Sequence, residues 1–278
     1  SRRRPRSPTA LRVPSPVDVP EILEIELYRR LADRVVGRRI ESVDAPDAWY
    51  LKGGATEDVV VDAVAGARIV GTRRIGKLLL LDLDDGRPVL GLRFGMTGRL
   101  VVDGVAAIDE LQYGSSRDEP AWTRFRLAFA DGVLEMRDPR RLGAVQLDPD
   151  EGALGIDAWQ VDETALGALL AGSVAPLKAR LMDQARLAGL GNLLTDEILY
   201  RSGLDPARPA AGLGRAERRR LAATVVPTLD ELLGRGGSHT GDLQTARVRG
   251  GRCPKDGTPL LRRTIGGRTT YSCPRHQR

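Results

Sequence analysis

The stretch DQARLAGLGNLLTDEILYRSG, residues 183–203, is the most informative in the chain. Gly189 and Gly191 flank Leu190, and Asn192 opens a helix expected over 191–202. Glycine has no Cβ, so the backbone at such a turn can approach a phosphate closely. The first amides of the helix, helped by Asn192, can then bind it. A plain turn between two helices has the same pattern. Outward from this point the texture stays helical, with apolar spacing that predicts helices over 162–171, 176–183 and 215–233. Gly234, Gly236 and Gly237 cut the last of these.

Upstream the periodicity changes. From about residue 38 to 148 the runs ARIVGT, KLLLLDL, PVLGLRF, RLVVDG, RFRLAFA, GVLEMRD and GAVQL are split by Gly, Asp-Gly and Pro. Short β-rich runs at this spacing predict a β-sandwich or barrel. Ahead of them Ile22, Leu23, Ile25, Leu27, Leu31 and Val35 fall mostly at helical spacing, and Gly37 is a stop. Residues 1–18 are rich in Arg, Pro and Ser and read as a disordered extension. The expected fold class is α+β. A β-sandwich with a leading helix occupies 19–150, a helical domain 151–240, and a small finger-like module 241–278.

With 278 residues and 41% hydrophobic composition the chain can bury a sizeable core. No apolar run approaches the ~20 residues of a membrane span, and no signal peptide is visible. Two cysteines exclude a disulfide-rich secreted scaffold. A soluble, cytoplasmic protein is expected, with no membrane partner. The net charge of +6 is unevenly spread: residues 246–278 carry +8, residues 1–18 carry +4, and the body between them −6. A basic end is what a phosphate-backbone partner requires, and also what a solvated tail looks like. Only four of the 43 basic residues are Lys, a bias typical of a GC-rich bacterial genome.

The end segment pairs Cys253 with Asp256 and Cys273 with His276, with sixteen residues between the pairs. All four types can ligate zinc, and one structural ion would organise a finger too small to fold alone. A metal-free β-hairpin with Asp256 in its Asp-Gly turn is the other reading. Between the pairs LRRTIGGRTTYS carries Arg262, Arg263 and Arg268, placed on a hairpin to grip phosphates.

The run DQARLAGLGNLLTDEIL resembles the helix–two-turn–helix motif of the formamidopyrimidine-DNA glycosylase / endonuclease VIII family, and GGRTTYSCPRHQ resembles that family's C-terminal zinc finger. VPEILEIE (19–26), RRIGKLLLL (73–81), RFGMTGRL (93–100) and DPRRLG (138–143) are similar to other family blocks, in the same order. The resemblance covers residues 19–278. It implies a bifunctional DNA glycosylase and abasic-site lyase of base excision repair. Such a protein would be a monomer bound to damaged double-stranded DNA in the bacterial nucleoid, without a redox cofactor or catalytic metal. Pro20 matches the family's nucleophilic N-terminal proline and Glu21 its adjacent catalytic glutamate. Lys77, Asn192 and Arg268 match phosphate-gripping positions, with Lys77 and Arg268 counted among the catalytic set. Glu24 and Glu197 match two further acids near the site. Met96, Arg140 and Leu142 match the residues that fill the gap left by a flipped-out nucleotide.

Four departures qualify the match. Pro20 is not the first residue, and an internal proline nitrogen is an amide that cannot form an imine. Residues 1–19 are therefore expected to be absent from the natural mature protein, with Val19 a start codon read as valine. GGSHTGDLQTARVRGGRC (236–253) lacks most of the loop that purine-specific members fold over 8-oxoguanine. Arg93 stands where those members usually have His, and Leu142 where an aromatic is usual. The finger has Asp256 and His276 in place of two Cys. The alternatives are a non-catalytic binder of damaged or kinked DNA and, less well matched by Pro20-Glu21, an RNA-binding protein.

Overall fold

Apolar alternation builds the first half of the molecule. In Thr123–Phe129 the side chains of Phe125, Leu127 and Phe129 are buried while their neighbours are half-exposed, the period-two pattern of a strand with one face on a core. The computed structural model describes residues 20–108 and 119–278; the expected extension at 1–18 and Val19 lie outside these.

In chain order the first half comprises α1 (Ile22–Ala32), β1 (Ser42–Asp44), α2 (Glu57–Val64), β2 (Ile69–Ile75), β3 (Leu78–Leu83), β4 (Leu90–Arg93), β5 (Arg99–Val102), β6 (Val105–Ala106), β7 (Thr123–Phe129), β8 (Gly132–Arg137) and β9 (Ala144–Leu147). The strands form two antiparallel sheets, ordered β1-β7-β8-β5-β6 and β2-β3-β4-β9. One core joins them, with Leu79, Leu81 and Leu92 from one sheet meeting Leu100, Phe125 and Leu134 from the other.

Helix α2 departs from the all-strand expectation for this region. Its EDVVVDAV is β-branched, yet only Val60 and Val64, one helical turn apart, are buried. The Thr56 side chain caps its first turn and Glu57 and Asp58 face the positive end of its dipole, so capping and spacing override propensity.

The second half holds β10 (Ile156–Asp157), α3 (Glu163–Leu170), α4 (Leu177–Leu181), β11 (Leu187–Ala188), α5 (Asn192–Ser202), α6 (Arg215–Arg235), β12 (Leu261–Ile265) and β13 (Arg268–Ser272). The four expected helices are present within a few residues of their expected ends. Helix α6 runs on to Arg235 and stops at Gly236, which takes the left-handed conformation at φ +109°. Strands β12 and β13 pair as a hairpin.

Helix α1 belongs to both halves. Ile25, Tyr28 and Leu31 enter the sheet core, whereas Ile22 and Leu23 enter the helical core with Leu190, Leu194 and Leu229. The N-terminus of the described chain is thereby fixed at the seam.

Candidate active site and nucleic-acid interface

The seam is closed by one carboxylate. Glu21, fully buried, accepts hydrogen bonds from the backbone N–H groups of Gly191 (2.6 Å), Leu193 (2.7 Å) and Leu194 (3.2 Å) at the start of α5. The anion on this helix N-terminus is therefore the Glu21 carboxylate. The glycines serve the same contact. A Cβ on Gly191 would stand 2.4 Å from Glu21 Cδ, and one on Gly189 would stand 2.5 Å from Ile22 Cδ1. Ile22 N–H also donates to Gly189 O (3.1 Å).

Pro20, immediately before Glu21, lines a pocket of about 270 Å³ with Lys52, Lys77, Arg93, Leu142, Leu154 and Gln184 among its walls. Burial lowers the Arg93 pKa below the ordinary guanidinium value. No hydrogen-bond or ion-pair partner for that guanidinium occurs among the described residues, so a desolvated cation faces the pocket. A group of cations around an open cavity suits an anionic ligand.

The expected gap-filling residues are organised by Asp138, which the sequence argument missed. Its buried carboxylate accepts from Thr97 Oγ1 (2.6 Å), Arg140 N (3.1 Å), Leu142 N (2.8 Å) and Gly143 N (2.8 Å), wrapping DPRRLG into a tight loop. Asp followed by accessible backbone N–H groups is a known turn former, and that was the available signal. The turn after β4 packs directly against this loop: a Cβ on Gly95 would stand 2.3 Å from Leu142 C. Met96 and Leu142 are thus brought to one place. Met96 is half-buried, and Arg140 and Leu142 are exposed. On its other side the loop is stapled by Arg141 to Asp47 (2.5 and 2.6 Å).

Glu24 and Glu197, the two further acids, are brought near the seam and are not among the residues lining the pocket. Glu24 accepts from Glu21 N (2.8 Å) and from both N and Oγ of Ser238 (2.7 Å each). Glu197 accepts from Arg201 Nε (2.6 Å) and Leu243 N (2.9 Å). Both therefore brace the segment after α6.

The hairpin is anchored to α4 and α5 through Lys178, a buried residue that the sequence argument did not select although it is one of only four lysines. Its ammonium pairs with Asp196 (2.7 Å) and donates to Asn192 Oδ1 (2.5 Å) and Thr270 Oγ1 (2.8 Å). Asp196 also pairs with Arg247. Asn192 is consequently buried and oriented beside β13, the strand that Arg268 begins. Arg262 is exposed, and neither it nor Arg268 has a side-chain partner among the described residues. Arg263 is different: it pairs with Asp205 and donates to Ser272 Oγ (2.8 Å), so it is tied within the protein.

The four expected metal ligands converge, their ligand atoms all within 4.8 Å of one another. Cys253 Sγ lies 3.5 Å from His276 Nδ1, and Cys273 Sγ 3.4 Å from Asp256 Oδ2. Ligands about 2.0–2.3 Å from a tetrahedral zinc stand at about such separations. Burial pushes the Cys253 thiol up, while the Thr258 N–H holds the Asp256 carboxyl well below the usual range. The cluster could hold a metal ion.

Comparison with known proteins gives a consistent family. The profile of the formamidopyrimidine-DNA glycosylase N-terminal domain matches residues 19–145, and that of the formamidopyrimidine-DNA glycosylase H2TH domain matches 154–243. Formamidopyrimidine-DNA glycosylase of Cereibacter sphaeroides is 34% identical, covering 94% of this chain and 100% of the relative. That of Salinispora arenicola is 33% identical over 93% and 96%. Among solved structures, the complex of the Lactococcus lactis Fpg with DNA containing an abasic site superposes with a TM-score of 0.78 at 24% identity, covering 93% of this chain and 99% of that one. The complex of the same enzyme with DNA containing Fapy-dG gives 0.78 over 93% and 100%. Among the described residues no helix is long and apolar enough to cross a membrane.

Proposed function

We propose, from the premise that this chain belongs to the formamidopyrimidine-DNA glycosylase family, that it is a DNA-repair glycosylase acting on damaged duplex DNA. We further infer that it removes oxidised bases through an imine on Pro20 and cleaves the strand behind them. The observation that carries the reading is Pro20 opening into a cation-lined pocket beside Glu21, which is clamped across the seam. Relatives of this name at about a third identity over the whole described length support the substrate class.

In this reading residues 19–150 form the catalytic domain, 151–240 the helix–two-turn–helix domain and 241–278 the DNA-binding finger. The secondary amine of Pro20, exposed as a chain terminus, attacks the sugar C1′; the C1′–N bond to the base breaks and the base leaves with a proton. The ring opens to an iminium that draws electrons from C2′. Loss of a C2′ proton then expels the 3′-phosphate by β-elimination, and a δ-elimination can follow. Glu21 lies one residue away and moves the protons of ring opening. Lys77, Arg93 and Arg268 counter phosphate charge, Asn192 orients beside them, and Met96, Arg140 and Leu142 occupy the gap in the stack. Cys253, Asp256, Cys273 and His276 hold a structural zinc that fixes the finger and takes no part in the chemistry.

The test is borohydride trapping on duplex DNA with one abasic site, using protein that begins at Pro20. A covalent adduct is expected, lost when the terminal amine is blocked or when residues precede Pro20. Tight, salt-sensitive binding without an adduct would replace the lyase reading with that of a non-catalytic binder of damaged DNA.

A further inference from the structure

Trp49 is the most exposed aromatic side chain of the described residues, with 67% of its surface open. Its position is rigidly held. The turn at 47–50 is closed by Tyr50 N–H donating to Asp47 O (2.8 Å), and Trp49 N–H donates to Asp47 Oδ1 (3.1 Å). Asp47 in turn holds Arg141, next to Arg140 and Leu142. On the far side Val145 N–H donates to Tyr50 O and Lys52 N–H to Val145 O (2.9 Å each). Tyr50 packs so closely under the loop that a Cβ on Gly143 would stand 2.1 Å from its hydroxyl oxygen. The Trp49 turn and the DPRRLG loop are therefore one rigid ledge. Lys52 completes it: its ammonium lies 4.3 Å from the centroid of the Trp49 ring, donates to Trp49 O (2.5 Å), and lines the same pocket as Pro20 and Lys77.

We propose that Trp49 and Lys52 form a nucleotide-binding lip at the pocket mouth. The indole stacks on a base neighbouring the flipped-out nucleotide, and the Lys52 ammonium contacts a backbone phosphate there. This rests on the DNA-repair reading above. A flat ring with an open face and a cation on the ledge matches the two faces of a nucleotide, a π-surface and an anion. Leu142, 46% exposed on the same ledge, has no ring with which to stack. An indole held open to water on a rigid turn has its ordering cost already met before binding.

The test uses the full chain and a labelled duplex containing one stable abasic-site analogue. Trp49→Ala is expected to weaken binding about 5- to 150-fold, the range for loss of one stacked base, while Trp49→Phe retains most of the affinity. Lys52→Met is expected to reduce the slope of log affinity against log salt by about one. Binding should also quench a component of tryptophan emission that is missing in Trp49→Phe. Wild-type affinity in Trp49→Ala, or equal quenching in wild type and Trp49→Phe, overturns the lip. Failure of the wild type itself to prefer the abasic duplex overturns the DNA-repair reading, and the lip with it.

Discussion

Replacing Asp138 by alanine is the sharpest test of how the structure presents Arg140 and Leu142. The carboxylate satisfies four donors, of which Thr97 Oγ1 and Gly143 N–H are buried and Arg140 and Leu142 N–H partly so. Each buried donor left unsatisfied costs about 1–3 kcal/mol, so the two buried ones alone predict a loss of about 4 kcal/mol. Against a total stability of about 5–15 kcal/mol that is a large fraction. Asp138→Asn keeps one acceptor oxygen and should lose about half as much. Urea unfolding gives the stability change through the midpoint, and an unchanged slope would certify that the folded state is still compact. On the proposed reading, binding to an abasic duplex should fall in parallel, because the loop no longer holds Arg140 and Leu142 in place. A loss under about 1 kcal/mol for Asp138→Ala, the size of an ordinary surface substitution or little more, would refute the account of the loop.

Gly191→Ala should fold but lose strand cleavage, because its Cβ would displace Glu21 from the start of α5; circular dichroism alongside abasic-site cleavage separates the two effects. Metal analysis of purified protein should find one zinc per chain, reduced in Cys273→Ala, with chelation exposing the hairpin to protease. The Arg208 guanidinium and the Gly214 N–H lower the Glu217 carboxyl to about 2 from 4.5. A depressed folded-state pKa means stability that is present above the unfolded value and lost as pH falls from about 4.5 through about 2. Discounted for solvent screening this is about 1 kcal/mol, so unfolding of Glu217→Gln followed over that window should lack that part of the acid dependence.

Much of this was legible in the residues. The alternation in TRFRLAF, the spacing of the helical runs and the paired ligands near the C-terminus are local patterns, and each has the structure its periodicity implies. Local patterns fail where a local rule is outvoted or where the partner is remote in sequence. EDVVVDAV is β-branched and lies among strand runs, yet it is a helix capped by Thr56. Arg262 and Arg263 are equivalent in composition, but pairing of Arg263 with Thr270 turns it toward Asp205 and leaves Arg262 outside. No spacing rule could reveal that Glu21 ends on α5, since its three donors lie at least 170 residues away. Residue type and short-range period are written in the chain and sufficed for most of the elements, the family blocks and the Cys253, Asp256, Cys273 and His276 cluster. Which charge meets which donor depends on the seam between the two halves, because a buried carboxylate takes whichever N–H groups packing delivers to it. That choice made Glu21 the anion on α5, made Glu24 and Glu197 braces, and left Trp49 open beside the pocket.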